Sequence, residues 1–171
     1  MMPLMLSLLL FLSARDTDRP KVGDPAPDFE AQATGDQTIR LRDLRGQWVV
    51  LYFYPKSFTP GCTTQACTLR DAYEKIQSLG AVILGVSLDD LETQERFKAE
   101  YKLPFDLISD VHGEIARAYE VLADNGRYAR RVTFLIDPEG RIAHIFEKVD
   151  PARHDREVYE TLKRLQVSRK S

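Results

Sequence analysis

Cys62 and Cys67 are the two cysteines of this 171-residue chain, and they are the residues best suited to chemistry. Two sulfurs are too few for a disulfide scaffold, an iron–sulfur cluster or a four-cysteine zinc site. His112, His144 and His154 stand at no ligand-like spacing from them or from one another, and all three read as surface or packing residues. What remains is thiol chemistry, in which the thiolate is the nucleophile. Cys62 follows Thr59-Pro60-Gly61. Thr59 suits an N-cap, Pro60 the first helical position, and Gly61 leaves the backbone open beside the next residue. Cys62 then falls at the third helical position, facing unpaired N–H groups and the positive end of the helix dipole.

A free thiol is about 3% ionised at pH 7, and making one predominantly ionised takes roughly 3.4 kcal/mol. A helix terminus contributes at best about 2 kcal/mol. A nearby cation is therefore required. The second sulfur raises a geometric question. Five residues along a regular helix separate two Cα atoms by about 8.7 Å, whereas a disulfide rarely tolerates more than about 6.8 Å. The pair is reduced and apart on an intact helix, and bonded only if the first turns unwind. From spacing alone two ordinary buried cysteines carry comparable weight, because free cysteine is among the most buried residue types.

Recognisable elements position these sulfurs. VGDPAPDFEA and TIRLRDLRG read as a leading loop and a short hairpin closing at Gly46, and Trp48–Tyr54 as a buried strand ended by Pro55. The loop KSFTPG leads into a helix over Cys62–Leu79, with Ala66, Leu69, Tyr73 and Ile76 on one side and Gly80 closing it. Ala81–Leu88 is a second buried strand; Asp89–Lys102 is a charged helix stopped by Pro104. A short strand at Phe105–Ser109 and a short helix at Gly113–Tyr119 follow. VTFLI, DPEG and RIAHIF form a hairpin, and a last helix runs from about Arg153 to Leu165. The pattern predicts an α/β domain: a mixed central sheet with helices on both faces and an N-terminal β-hairpin.

Composition narrows the function classes. Hydrophobic residues at 43% and charged residues at 29% exclude a wholly disordered, collagen-like or polytopic membrane protein. Twenty-four Lys and Arg against 26 Asp and Glu give a net charge of −2, with no basic excess for nucleic acid. The first fourteen residues, MMPLMLSLLLFLSA, are uncharged. As a helix they span about 21 Å, short of the roughly 30 Å hydrocarbon core. They read equally as an export leader or membrane tether and as a dispensable extension or start-site artefact. Residues 1–21 are thus a leader or extension with a linker, and residues 22–171 one domain.

The string YFYPKSFTPGCTTQACTLRD, Tyr52 to Asp71, closely resembles the active-site segment of the peroxiredoxins, within them the bacterioferritin comigratory protein (PrxQ) subfamily. The family's Pro-x-x-x-Thr-x-x-Cys stands here as Pro55, Thr59 and Cys62, and the subfamily's second cysteine, five residues on, as Cys67. RVTFLIDPEG supplies the family's arginine at Arg131, and YKLPFDLISD matches a third segment. The likeness runs from about Val22 to Leu165. It departs at Asp124–Arg130, which lacks the lysine- and glycine-rich character common before the arginine strand.

The resemblance implies a thioredoxin-like fold and reduction of hydrogen peroxide and organic hydroperoxides. In this role Cys62 attacks peroxide, Cys67 resolves the product as an intramolecular disulfide, and thioredoxin or a glutaredoxin-like protein restores the thiols. Arg131 is the missing cation, Thr59 orients the peroxide, and Pro55 shields the sulfur. The resemblance also implies no metal, haem or flavin, a monomer, and the cytoplasm as the default location. The runner-up is a thioredoxin-like disulfide reductase or redox-sensing partner protein, which the absent Cys-x-x-Cys disfavours. A structural domain with an inert disulfide is a third reading, which the 8.7 Å separation of about five helical residues disfavours most.

Overall fold

The computed structural model describes residues 19–170. The reading of the first fourteen residues lies outside them. A seven-stranded mixed sheet runs β2-β1-β5-β4-β3-β6-β7. At its centre are the two apolar segments the sequence marks as buried, β3 (Trp48–Phe53) and β4 (Ala81–Ser87), paired in parallel. Strand β5 (Asp106–Ser109) extends the parallel side, and β6 (Val132–Ile136) and β7 (Ile142–Phe146) the antiparallel side.

Both faces of β3 are buried, and its alternation sorts the core into two layers. Val49, Leu51 and Phe53 join Val86, Ile108, Tyr119 and Phe134 on one face, beneath α4 (Glu114–Ala118). Val50, Tyr52 and Tyr54 join Leu69, Ile76, Phe97, Val158 and Leu162 on the other. That second face carries α1 (Pro60–Asp71), α2 (Tyr73–Ser78), α3 (Leu91–Tyr101) and α5 (His154–Arg169). Among the described residues no helix is long and apolar enough to cross a membrane.

Two elements differ from the sequence expectation. The N-terminal hairpin pairs β1 (Glu30–Ala33) with β2 (Gln37–Arg40) and turns at Gly35 and Asp36, both at positive φ. It ends at Arg40 rather than Gly46: the ladder makes one more in-register bond, Leu41 N–H to Phe29 O at 3.1 Å, and the chain then winds into a 3-10 turn, Leu41–Leu44, that buries Leu41. The expected helix Cys62–Leu79 is divided at Ala72 into α1 and α2. The three-and-four apolar spacing runs on through the division, so periodicity alone could not reveal it.

Gly85 on β4 shows how closely this sheet packs against its side chains. A Cβ there would stand 2.8 Å from Leu107 Cδ2 and from Tyr52 Cζ and Oη. Gly85→Ala is expected to destabilise the protein by about 1–3 kcal/mol through overpacking, read as a lower urea midpoint. An unchanged midpoint would contradict the rigid packing of the Tyr52 ring.

Candidate active site

The register of the central antiparallel pair builds the site. Phe53 is opposite Val132, so the residue before β6, Arg131, emerges at the same sheet end as Tyr54 and Pro55. From there Lys56–Thr59 cross to α1. Thr59 occupies the N-cap position, Pro60 and Gly61 follow, and Cys62 is third in the helix, as its sequence context indicates. The cap itself is different from expectation. Thr59 makes no side-chain cap; its hydroxyl donates back to Lys56 O at 2.6 Å, while Thr63 N–H reaches the Thr59 backbone carbonyl at 2.9 Å.

Cys62 is 1% exposed, and its sulfur accepts a hydrogen bond from Arg131 Nη2 at 3.4 Å. The other arm of the guanidinium, Nη1, donates to Gln65 Oε1 at 2.6 Å. Arg131 is thus held by a fully buried glutamine while it contacts the sulfur. Gly61 eases this approach, since a Cβ there would lie 3.2 Å from Arg131 Nη2 and shift it by a few tenths of an ångström. Two positive features, the helix start and the guanidinium, converge on one nucleophilic atom.

Cys67 lies five residues on in the same helix, half-buried, and neither cysteine is bonded to the other. Helix geometry separates their Cα atoms by about 8.7 Å. The downstream part of α1 is tied to its surroundings. Thr68 Oγ1 shares its hydrogen between Gln65 O, at 3.0 Å in its own helix, and Pro151 O, at 3.1 Å, and Arg70 Nη1 donates to Tyr101 O at 2.8 Å.

Pro55 borders a cavity of about 400 Å³, shared with Lys56, Leu88, Asp89, Arg127 and Tyr128. The last two belong to the segment in which the sequence departs from the peroxiredoxin pattern.

Three contributions escaped the sequence reading. Gln65 is one, although its place three residues after Cys62 puts it on the same helical face. The second is a buried network under the loop: Tyr54 Oη and Ser57 Oγ donate to Gln94 Oε1 at 2.8 and 2.7 Å, and Ser57 N–H donates to Asp89 Oδ2 at 2.8 Å. No spacing rule joins residues 40 positions apart. The third is the phenol of Tyr52, fully buried and without a hydrogen-bond partner. Burial first, then the neighbouring Tyr54 and Cys62, push its ionisation well above the usual tyrosine range, so it stays neutral.

The arrangement suits attack by a sulfur on a small, polarisable substrate. The AhpC/TSA family profile matches residues 22–145. Peroxiredoxin Bcp of Bacillus subtilis is 42% identical over 149 residues, covering 84% of this chain and 95% of the relative. The solved structure of PrxQ from Xylella fastidiosa superposes with a TM-score of 0.80 at 30% identity, covering 85% of this chain and 96% of that one. The bacterioferritin comigratory protein of Xanthomonas campestris, studied for alkyl peroxide reduction, gives 0.75 at 34% identity, covering 80% and 90%.

Behind Arg131, fully buried His154 pairs its Nε2 with Thr133 Oγ1 at 2.8 Å, while its Nδ1 stands 3.6 Å from Glu157 Oε2. Burial, and after it the Arg131 charge, holds its titration down at about 4, from 6.5. The unfolded chain therefore binds this proton first, and stability is full above about pH 6.5 and falls as pH drops towards 4. The loss over that window is expected on the order of 3 kcal/mol. Denaturant titrations at several pH values measure it, and His154→Gln should flatten this part of the profile. Parallel profiles for the two proteins would contradict the assignment.

Proposed function

Because the chain belongs to the AhpC/TSA family and, within it, to the Bcp/PrxQ peroxiredoxins, thiol peroxidases that reduce peroxides, we propose that Cys62 is its peroxidatic sulfur and Cys67 its resolving one. The 3.4 Å contact between Arg131 and Cys62 Sγ is the observation that carries this reading.

The Cys62 thiolate attacks the terminal peroxide oxygen. A sulfur–oxygen bond forms as the oxygen–oxygen bond breaks; sulfur is oxidised to sulfenic acid, and the leaving oxygen takes a proton to become water or an alcohol. Arg131 and the N–H groups at the start of α1 stabilise the charge moving onto that oxygen, and the Thr59 hydroxyl orients it. With its hydrogen on Lys56 O, Thr59 Oγ1 offers lone pairs to an incoming hydroperoxide. Pro55 shields the sulfur from bulk water.

Cys67 then condenses with the sulfenic acid, releasing water and forming the disulfide. The helical separation of about 8.7 Å requires α1 to open first. An external dithiol, thioredoxin or a glutaredoxin-like protein, reduces the disulfide by exchange. Residues 22–171 carry this cycle as a monomeric domain, acting on hydrogen peroxide and organic hydroperoxides, with residues 1–21 as leader or extension.

The decisive assay supplies purified protein with thioredoxin, thioredoxin reductase and NADPH and follows peroxide loss. Cys62→Ser is expected to fall to background; full activity in that variant overturns the reading. Cys67→Ser is expected to consume one equivalent of peroxide and then stall, with sulfinic Cys62 accumulating on further exposure. Sustained thioredoxin-coupled turnover by Cys67→Ser would remove the resolving role from this residue.

A further inference from the structure

Four described residues other than glycine adopt positive φ: Asp36, Phe58, Lys102 and Glu120. Three are polar residues at a hairpin turn, a helix end and the turn after α4. Phe58 is the exception, a bulky aromatic at φ +69° in the loop leading to Cys62. For a residue with a Cβ this region is disfavoured by roughly 5- to 30-fold in population, and such strain persists only where the surroundings over-determine it.

Here they do. On the upstream side, Ser57 is clamped by its N–H to Asp89 and its hydroxyl to Gln94, while Gln94 Nε2 donates to Ser87 Oγ and Ile108 O at 2.8 and 3.0 Å. On the downstream side, Thr59 Oγ1 closes the loop onto Lys56 O. The Phe58 ring lies 5.1 Å from that of Phe97 and 6.3 Å from that of Tyr101, centroid to centroid, with the Arg96 guanidinium 5.5 Å from its own centroid.

Opening of α1 must be absorbed between the clamped Ser57 and the helix. Pro60 can contribute through ψ alone, because its ring fixes φ. Thr59 is already in a relaxed extended conformation, at φ −80° and ψ 153°. Phe58 differs from these residues in that its backbone gains by moving, since it leaves the left-handed region. We propose that Phe58 is the upstream hinge of α1, and that release of its left-handed backbone favours opening and so speeds disulfide formation. It thereby sets how oxidised Cys62 divides between resolution by Cys67 and over-oxidation. The inference rests on the reading of Cys67 as the resolving thiol.

Phe58→Ala and Phe58→Gly test it as a pair. Both remove the ring; alanine keeps the backbone strain and glycine does not. Glycine's greater freedom in the open state works against the difference, which places the expected ratio at about fivefold, the lower end of the range. In reduced protein, amides of residues 61–67 should exchange about fivefold faster in the alanine variant. After one equivalent of hydrogen peroxide, followed by alkylation and mass spectrometry, that variant should form the Cys62–Cys67 disulfide faster by the same factor. Sulfenic acid should form at like rates in both, and the glycine variant should over-oxidise at lower peroxide. Equal exchange and equal disulfide rates, or a faster glycine variant, overturn the hinge. A wild-type protein that forms no Cys62–Cys67 disulfide overturns the resolution reading instead, and the exchange ratio then decides the hinge by itself.

Discussion

The pairing of Phe53 with Val132 across the central antiparallel strands is the constraint on which the site depends. It brings a chain end from residue 54 and a chain start from residue 131 to one end of the sheet. A register slip of one residue would turn every side chain of β6 to the other face, and Val132, Phe134 and Ile136 would leave the core layer they share with Phe53 and Tyr119. Burial of that layer therefore fixes where Arg131 stands, although Arg131 is not part of it. Everything nearer the sulfur follows: the guanidinium reaches past Gly61, meets Gln65, and turns its other arm to Cys62.

The helix that presents Cys62 has two demands to meet. In the proposed cycle, attack on peroxide uses the intact first turn, since the N–H groups and the Gln65 contact exist only in the folded helix, and resolution by Cys67 needs the same turn undone. The anchors along α1 are distributed accordingly. Leu69 packs in the core, Thr68 is tied to Pro151, and Arg70 to Tyr101. Upstream, Ser57 is fixed to the α3 side by buried hydrogen bonds. The stretch between these anchors carries both cysteines; beyond the helix ladder and the packing of Cys62 and Ala66 in the core, it is tied to Arg131 through Cys62 and Gln65.

The sheet and the place of Cys62 were legible because they rest on local signals. Apolar runs of strand length, turn residues, and a Thr-Pro-Gly lead into a helix each carry their meaning within a few positions. The Arg131 role was legible only through resemblance, since its neighbour in space is 69 residues away in sequence. Gln65 could have been found from helical spacing, but a glutamine has no chemistry that singles it out before its partner is known. The Ser57–Gln94–Asp89 network and the direction of the Thr59 hydroxyl were not legible at all. Ser and Thr hydroxyls bond several backbone and side-chain groups at similar cost, and tertiary packing chooses among them. The left-handed Phe58 runs against its own propensity, which is how functional strain escapes sequence rules.

Arginine at position 131 meets a need that a lysine could not. Its planar fork donates to Gln65 and to the sulfur at once, along two fixed directions. A lysine ammonium is a point charge on a flexible stem; it would gain no fixed bearing from the glutamine and would carry a larger hydration cost into a site where Cys62 is 1% exposed. The same logic explains the neutral His154 behind it. A second cation at that depth would compete with Arg131 for the same anionic atoms and would cost its own desolvation. With Thr133 as its partner the imidazole fills space without charge, and the positive charge stays with the guanidinium beside the Cys62 sulfur.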